Sequence, residues 1–434
     1  MKKLMAVGSV LAILAGSRNV DAAGFALYEV GARGNALNGA LVGHAGDASA
    51  VYHNPSDIST ATNVQLSVGI SMIEPFCDVE VDHKHLNKMD PGWFAIPNFH
   101  LVVPLGWGFT LGLGEYSEFG AGTEYGDRWA LAEDSYKTTI EQFTLSPVIS
   151  YKVTDKWRVA GGLRASYFNF VNYQRPNFAM LERLGDAVAP YGWDYELAGK
   201  LKGDDWGLGY ILATSYDVRD DLHVGLVYRS RIHHKVAGHY SASGDLPTDA
   251  TNLPMGLMPS HYSTHGMANA KVMLPQSLSL GVNWDATERA RFGFSTTWTE
   301  WSSMKRLKIN IPGQIMGYEK TRHIKFNWHD VFRFAWGGEY DLFEDWSVRA
   351  GYAYDMDPSG KSGTTMIPVG HRHIIGLGAS WRIWKGLSLD LGYNLVIMES
   401  QTRHVHPQYD ERSYRFQTRN AMSHILSASL NYNF

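Results

Sequence analysis

Eighteen histidines and a single cysteine are the residues of this chain that first invite chemistry. A transition-metal site needs three or four imidazole, thiolate or carboxylate ligands converging on one point. His233 and His234 are adjacent, and His371 and His373 stand two apart, a spacing that puts both rings on one face of a strand. Neither pair has an HExxH motif or an identifiable third ligand. They read as surface histidines, and no metal or other cofactor is expected. Hydrolysis of lipid would need a serine activated by an ordered histidine. No G-x-S-x-G element occurs, and His261 near Ser263 is a pairing that chance supplies. A nucleotide-binding glycine loop is missing as well. Cys77, the one cysteine, excludes an internal disulfide framework. Acids and bases are interspersed at a net charge of −4, so nucleic acid is not an expected partner. What remains are arginines, whose meaning depends on the faces that carry them.

Those faces are strand faces. Near the far end Leu426, Ala428, Leu430, Tyr432 and Phe434 alternate with Ser427, Ser429, Asn431 and Asn433, the period of a strand with one apolar and one polar side. The same pattern recurs in Leu278-Leu280-Val282-Trp284, Phe332-Phe334-Trp336 and Leu387-Leu389-Leu391-Tyr393. The opposite parity carries Gly, Ser, Asn, Arg or Asp, which is a lipid-out, lumen-in signature. About fourteen such runs are countable, near 64–73, 95–105, 108–117, 137–153, 157–172, 205–218, 222–236, 273–284, 290–304, 329–340, 346–356, 371–383, 387–398 and 421–434. Tight connections such as Gly106-Trp107, Thr154-Asp155-Lys156, Arg219-Asp220-Asp221 and Trp384-Lys385-Gly386 alternate with long ones. Short periplasmic turns and long extracellular loops produce that rhythm, so the predicted fold is all-β, a transmembrane antiparallel barrel in a bacterial outer membrane with both barrel termini periplasmic. Parity then turns Arg164, Arg229, Arg333, Arg349, Arg372 and Arg382 inward, together with Glu339, Asp355 and Asp390. Two readings stand side by side: a network of paired charges holding the interior, or cationic partners for an anionic ligand, with Arg164 and Arg333 as candidates.

The N-terminus carries Lys2 and Lys3, an apolar run from Leu4 to Gly16, and small residues at Val20-Asp21-Ala22. That is the layout of a signal peptide over 1–22, since the run falls short of the roughly twenty residues that span a bilayer. Residues 23–63 do not alternate and are rich in Gly and Ala, which suits a hatch packed inside the lumen of a barrel formed by 64–434. In the long connections, Phe178, Leu181 and Leu184 recur at helical spacing, and Leu253, Met255, Leu257, Met258 and Met267 cluster. Apolar loops of this kind imply a binding surface, or loops packing on one another. Glu118-Phe119-Gly120-Ala121-Gly122 offers small residues where a strand can bend. The terminal Phe434 resembles the recognition signal read by the barrel assembly machinery.

Several segments together resemble the FadL family of outer-membrane transporters of long-chain fatty acids and hydrocarbons. They are Ala23-Gly24-Phe25, Gly39-Ala40, Asp47-Ala48-Ser49-Ala50, Asn54-Pro55, Pro97-Asn98-Phe99, Phe119-Gly120, Tyr228-Arg229-Ser230, Trp298-Thr299-Glu300-Trp301-Ser302 and Arg349-Ala350-Gly351. The family's Asn-Pro-Ala reads Asn54-Pro55-Ser56 here. The resemblance implies a fourteen-stranded barrel closed by a hatch, an apolar groove on the outer loops, a lumen site beside Phe25, and a lateral opening near a kinked third strand. Asn54, Pro55, Phe119 and Gly120 are then candidate gating residues. The expected function is passive transport of hydrophobic molecules, long-chain fatty acids first and aromatic or other neutral hydrocarbons as the alternative. A polar porin, which needs no plug, and a lipid hydrolase are the competing classes. Expected partners are the hydrophobic ligands, outer-membrane lipid, lipopolysaccharide and the assembly machinery, with the protein acting as a monomer.

Overall fold

Alternation of the predicted kind runs around a closed ring of fourteen antiparallel strands in the computed structural model. The structure describes residues 24–83, 85–90, 92–132, 134–175, 198–245, 261–315, 318–360, 363–405 and 413–434. The predicted signal peptide lies outside them. The strands are β1 (Gln65–Val81), β2 (Phe94–Gly106), β3 (Phe109–Tyr116, then Gly120–Glu124), β4 (Lys137–Lys152), β5 (Trp157–Gln174) and β6 (Ala198–Arg219). They continue with β7 (Leu222–Arg229, then Ile232–Asp245), β8 (His261–Leu274, then Ser277–Asp285), β9 (Ala290–Thr299, then Arg306–Ile315) and β10 (Tyr318–Lys325, then Val331–Phe343). The last four are β11 (Trp346–Asp355), β12 (Arg372–Trp384), β13 (Leu387–Met398) and β14 (Tyr414–Asn433). Short strands His85–Lys88 and Thr402–Val405 pair antiparallel with the outer ends of β1 and β14. The ring closes where β14 pairs with β1 from Gln65↔Asn433 to Val81↔Phe416, which leaves no edge to be satisfied in lipid.

Exposed Val68, Ile70, Leu208, Leu212, Leu280, Leu377, Leu391 and Leu430 form the outer band. At the tight-turn end, Trp107, Tyr151, Trp157, Trp284, Trp346, Trp381 and Phe434 ring it with exposed aromatics, as an interface girdle requires.

Several strands run further than the sequence pattern indicated. Segments 237–245, 261–272, 306–315 and 318–325 read as loop in the sequence, yet they are strand. The chain breaks at Ser230-Arg231, at Pro275-Gln276 and at the short 3-10 turn Trp301–Ser303, and across the first two breaks the exposed parity changes. Above them the code also inverts, with Val236, Val272, Leu307 and Ile309 buried inward and Lys235, Lys271 and Lys308 outward. A search for apolar residues facing lipid misses strands that have left the lipid. Met267, expected in a loop groove, accordingly stands on the outer face of β8 opposite His239, half exposed.

Residues 24–63 fill the ring. Helices Ala32–Ala36 and Ala50–His53 and the 3-10 turn Pro55–Thr60 are almost wholly buried. Barrel glycines let this segment's backbone lie directly against the wall: a Cβ at Gly225 would fall 2.0 Å from Val42 O, and one at Gly293 2.0 Å from Ala40 O. Charge completes the attachment. Glu339 on β10 receives Arg33 of the inner segment (3.0 Å) and Arg291 of β9 (2.8 Å), and it also pairs with Arg349, which bonds Asp390 at 2.8 Å. Arg372 pairs with Asp355 at 2.6 Å. For Arg349 and Arg372 the paired-network reading is therefore the one observed. Arg382 keeps the inward parity but stands exposed at the periplasmic rim.

Candidate functional site

The third strand is interrupted at Ser117-Glu118-Phe119, and the interruption organises everything around it. Pairing of β3 with β4 passes from Tyr116↔Thr144 to Gly120↔Glu141, one residue out of step. Two backbone N–H groups left without ladder partners, those of Glu118 and Phe119, donate to Gln142 Oε1 at 2.8 and 3.2 Å. Gln142 is itself held by Thr144 (2.6 Å) and Ser166 (2.9 Å). On the other side, pairing of β2 with β3 stops at Phe99↔Glu115. Beyond it, Phe94–Asn98 pair with β1 and Gly120–Glu124 with β4 rather than with each other, and Glu124 O accepts the Asp90 N–H at 2.7 Å. The wall between β2 and β3 is thus unzipped over its outer half. A built Cβ at Gly122 would fall 2.1 Å from the Phe94 ring, so that ring fills the seam and Gly122 makes room for it.

The inner segment docks its first residues into this break. Gly120 N–H donates to Phe25 O at 2.9 Å, and Leu27 N–H donates to Glu118 O at 2.8 Å, so Phe25-Ala26-Leu27 serves as the strand that β3 lacks. Phe25 is 3% exposed and meets Phe119, Trp301 and Trp328 at ring separations of 5.6, 5.1 and 6.0 Å. The ring stands between two cavities. The outer one is lined by Ile140, Phe168, Val236, Val272, Leu307 and Ile309. The other runs past Ile140 and Gly120 to the unzipped seam at Phe94, Ile96 and Gly122 and to exposed Met422.

A third cavity is more polar and gathers Glu118, Arg164, Arg229 and Arg333 with Tyr28 and Tyr52. Arg164 pairs with Glu118 and donates to Ser230 O at 2.9 Å. Arg229 lies 3.3 Å from Glu118, covers the Tyr52 ring at 4.9 Å and donates to Tyr52 O. Arg333 donates to Asn38 O at 3.0 Å and covers Tyr28 at 4.2 Å, but among the described residues no carboxylate pairs with it and its Nε is buried without a partner. Burial first, then the nearby Asp355, pushes the Tyr28 hydroxyl up to about 12, so a neutral phenol faces Arg333. The structure therefore separates the two arginine candidates: Arg164 is paired with Glu118, whereas Arg333, opposite Asp355 in the β10–β11 register, makes no ion pair among the described residues.

Phe25, Phe119 and Gly120 come together at the break, as do the arginines just below it. Asn54 and Pro55 lie elsewhere, lining none of these cavities. Asn54 is fully buried. Its Nδ2 donates to Val42 O (2.7 Å), and its Oδ1 accepts from the Ser56 N–H (3.1 Å) and hydroxyl (2.7 Å). Ser56, which departs from the family motif, uses its hydroxyl to reach Ser215 of β6 at 3.0 Å. Phe178, Leu181, Leu184, Leu253, Met255, Leu257 and Met258 lie outside the described residues. The His371 and His373 rings take separate tyrosines, Tyr354 (2.9 Å) and Tyr352 (2.8 Å), and no metal-holding group occurs among the described residues. Glu118, Gln142 and Phe94 were not singled out for these roles from the sequence. The surplus of Gly around Phe119 was the one available signal.

A family model described as "Outer membrane protein transport protein (OMPP1/FadL/TodX)" matches residues 13–434. The long-chain fatty acid transport protein of Escherichia coli O6:H1 is 27% identical over 405 residues, covering 85% of this chain and 86% of the relative. Outer membrane protein P1 of Haemophilus influenzae is 24% identical, with both chains covered in full. Among solved structures, a FadL homologue of Pseudomonas aeruginosa superposes with a TM-score of 0.82 at 20% identity, covering 95% of this chain and all of that one. The toluene transporter TodX of P. putida does so at 0.73 and 17%, covering 94% and 99%. At these identities the superpositions speak for the fold.

Proposed function

Because the chain belongs to the OMPP1/FadL/TodX family of outer membrane transport proteins, we propose that it carries hydrophobic molecules across the outer membrane down their own gradient, long-chain fatty acids first among them. The observation that carries this reading is the position of Phe25 between an apolar outer cavity and a cavity that reaches the β2–β3 seam. Residues 1–22 act as the export signal, 23–63 as the hatch and 64–434 as the barrel. A ligand captured on the apolar outer loops enters the outer cavity and competes with Phe25 for its aromatic contacts. Displacing that ring loosens the two backbone hydrogen bonds that tie the hatch to the break in β3. The ligand then passes Phe94 and leaves sideways into the bilayer, so it never crosses the polar interior. A carboxylate head group is received by Arg333 and competes with Glu118 for Arg164 and Arg229.

Neutral hydrocarbons form the second reading, favoured by the outer cavity, whose side-chain lining is apolar. In either case the protein binds and releases without covalent chemistry, and it works as a monomer. Proteoliposome uptake separates the readings: long-chain fatty acid and toluene should enter without ATP or a partner protein, while a sugar should not. Passage of the sugar alone would make the chain a polar porin, and release of free fatty acid from phospholipid would make it a hydrolase.

A further inference from the structure

We propose that the outward face of the upper halves of β7 to β10 binds the phosphate groups of lipopolysaccharide in the outer leaflet. The register aligns cations in one row across four strands. Lys235 on β7 is directly opposite Lys271 on β8. Pairing of Asn269 with Asn310 brings Lys271, two residues along, beside Lys308 on β9. Lys308 is opposite His323 on β10. Adjacent strands lie about 4.8 Å apart, so these side chains are immediate neighbours, and all four are exposed. His233 and Arg306 point outward one step nearer the membrane, while Lys202 and His239 pair one step further out.

Like charges directly opposite each other on a sheet destabilise it, and nothing in the row offsets them. Among the described residues, no carboxylate pairs with Lys235, Lys271 or Lys308. Asp205 accepts the Lys235 backbone N–H (2.6 Å) and lies 3.7 Å from His234, while Asp204 stands exposed beside it. Glu300 is taken by Arg231 (2.6 Å), and Asp330 accepts the Ser302 N–H (3.0 Å). Asn269 and Asn310, bonded at 3.0 Å beside the row, add neutral donors. The inner face at this height is apolar, so the charges cannot be satisfied from within.

The level of the row identifies the anion. Trp206, 57% exposed, packs with Phe143 and Tyr167 at 5.5 and 5.4 Å, and exposed Tyr210 further along β6, 5.9 Å from Tyr228 on β7, continues the band. Such rings mark the edge of the hydrocarbon, and the periplasmic turns lie at the opposite end of the strands. A cationic row just above that edge faces the phosphate layer of the outer leaflet, whose lipid is held against the barrel wall at high local concentration.

The test is binding of fluorescent bisphosphorylated lipid A to the detergent-solubilised full-length protein, compared with the K235Q/K271Q/K308Q variant. Heat-modifiable gel mobility and fatty-acid binding report that the variant is folded. Affinity should fall about tenfold, the factor expected when three exposed lysine–phosphate pairings are abolished at once, and wild type should bind dephosphorylated lipid A comparably weakly. Equal binding by wild type and variant, or equal binding of lipid A with and without its phosphates, overturns the proposal. Competition by inorganic phosphate at the same concentration as lipid A would assign the row to free phosphate and also overturn it.

Discussion

Replacing Phe25 by alanine strikes the one side chain that separates the two apolar cavities. The substitution removes three aromatic contacts, each worth about 0.5–1.5 kcal/mol beyond burial. It leaves the backbone hydrogen bonds at 2.8 and 2.9 Å that dock the hatch on β3. Because Phe25 belongs to no barrel strand, the barrel should still form, and the packing lost against Phe119, Trp301 and Trp328 should show as a lowered melting temperature of a folded protein. Ligand binding should weaken. An acyl chain lying against one face of the ring covers about 50 Å² of it, which at ~25 cal/mol per Å² is about 1.2 kcal/mol, or close to eightfold in Kd. Titration with a fluorescent long-chain fatty acid reads that shift. Phe25→Leu, which keeps apolar volume in place, should recover most of it. With the partition gone, the two cavities that Phe25 lines join, so bound ligand should also leave faster. A Kd within twofold of wild type, or a weakened Kd accompanied by loss of the folded barrel, refutes the role given to this ring.

Gln142→Ala strips the Glu118 and Phe119 N–H groups of their acceptor, at about 1–3 kcal/mol of local stability. Their amides should exchange faster and ligand should escape more quickly; unchanged protection at 118–119 would show that the break holds without Gln142. Asn54→Ala removes three hydrogen bonds at a fully buried corner and should lower uptake while binding at the outer loops is retained. If melting temperature and loop binding fall together with uptake per folded molecule unchanged, the corner is only part of the hatch's fold. Burial raises the Asp57 carboxyl, but His44, Arg158 and the Gly46 N–H outweigh it and hold the group below its usual range. Its contribution is therefore present above about pH 3.9 and fades as pH falls through the folded value. The amides of Ala45 and Gly46, which donate to Asp57 at 2.9 and 3.1 Å, should lose protection below that point. A flat exchange profile through the acid range would contradict the assignment.

The barrel was readable because lipid imposes one rule on every strand it touches, and Leu278-Leu280-Val282 or Leu387-Leu389-Leu391 obey it openly. The same rule hid the upper halves of β7 to β10. Lys235, Lys271 and Lys308 face away from the lumen where no hydrocarbon remains, so polarity no longer distinguishes a strand from a loop. The site was legible in composition but not in connectivity. Parity turned Arg164 and Arg333 inward alike, but the partner of Arg164 is Glu118, 46 residues away and inside a broken strand. No periodicity reports such a break. Gly120 and Gly122 signalled weak pairing, yet the use made of the space, Leu27 over one and Phe94 over the other, depends on a segment and a strand that the local sequence does not mention. Phe25 and Phe119 were found together because the resemblance extended to the hatch. Asn54 was found the same way, although its hydrogen bonds alone do not distinguish a hinge from a fixed corner.

The central claim is that hydrophobic molecules occupy the cavities on either side of Phe25 on their way through the wall. Mass spectrometry of lipophilic material released from protein purified under mild detergent, run on wild type and on Phe25→Ala, tests it most directly. Wild type should release close to one long-chain acid or hydrocarbon per folded molecule, and the variant several times less. Folded wild-type protein that yields no lipophile, and takes none up when incubated with long-chain fatty acid or toluene, would contradict the account.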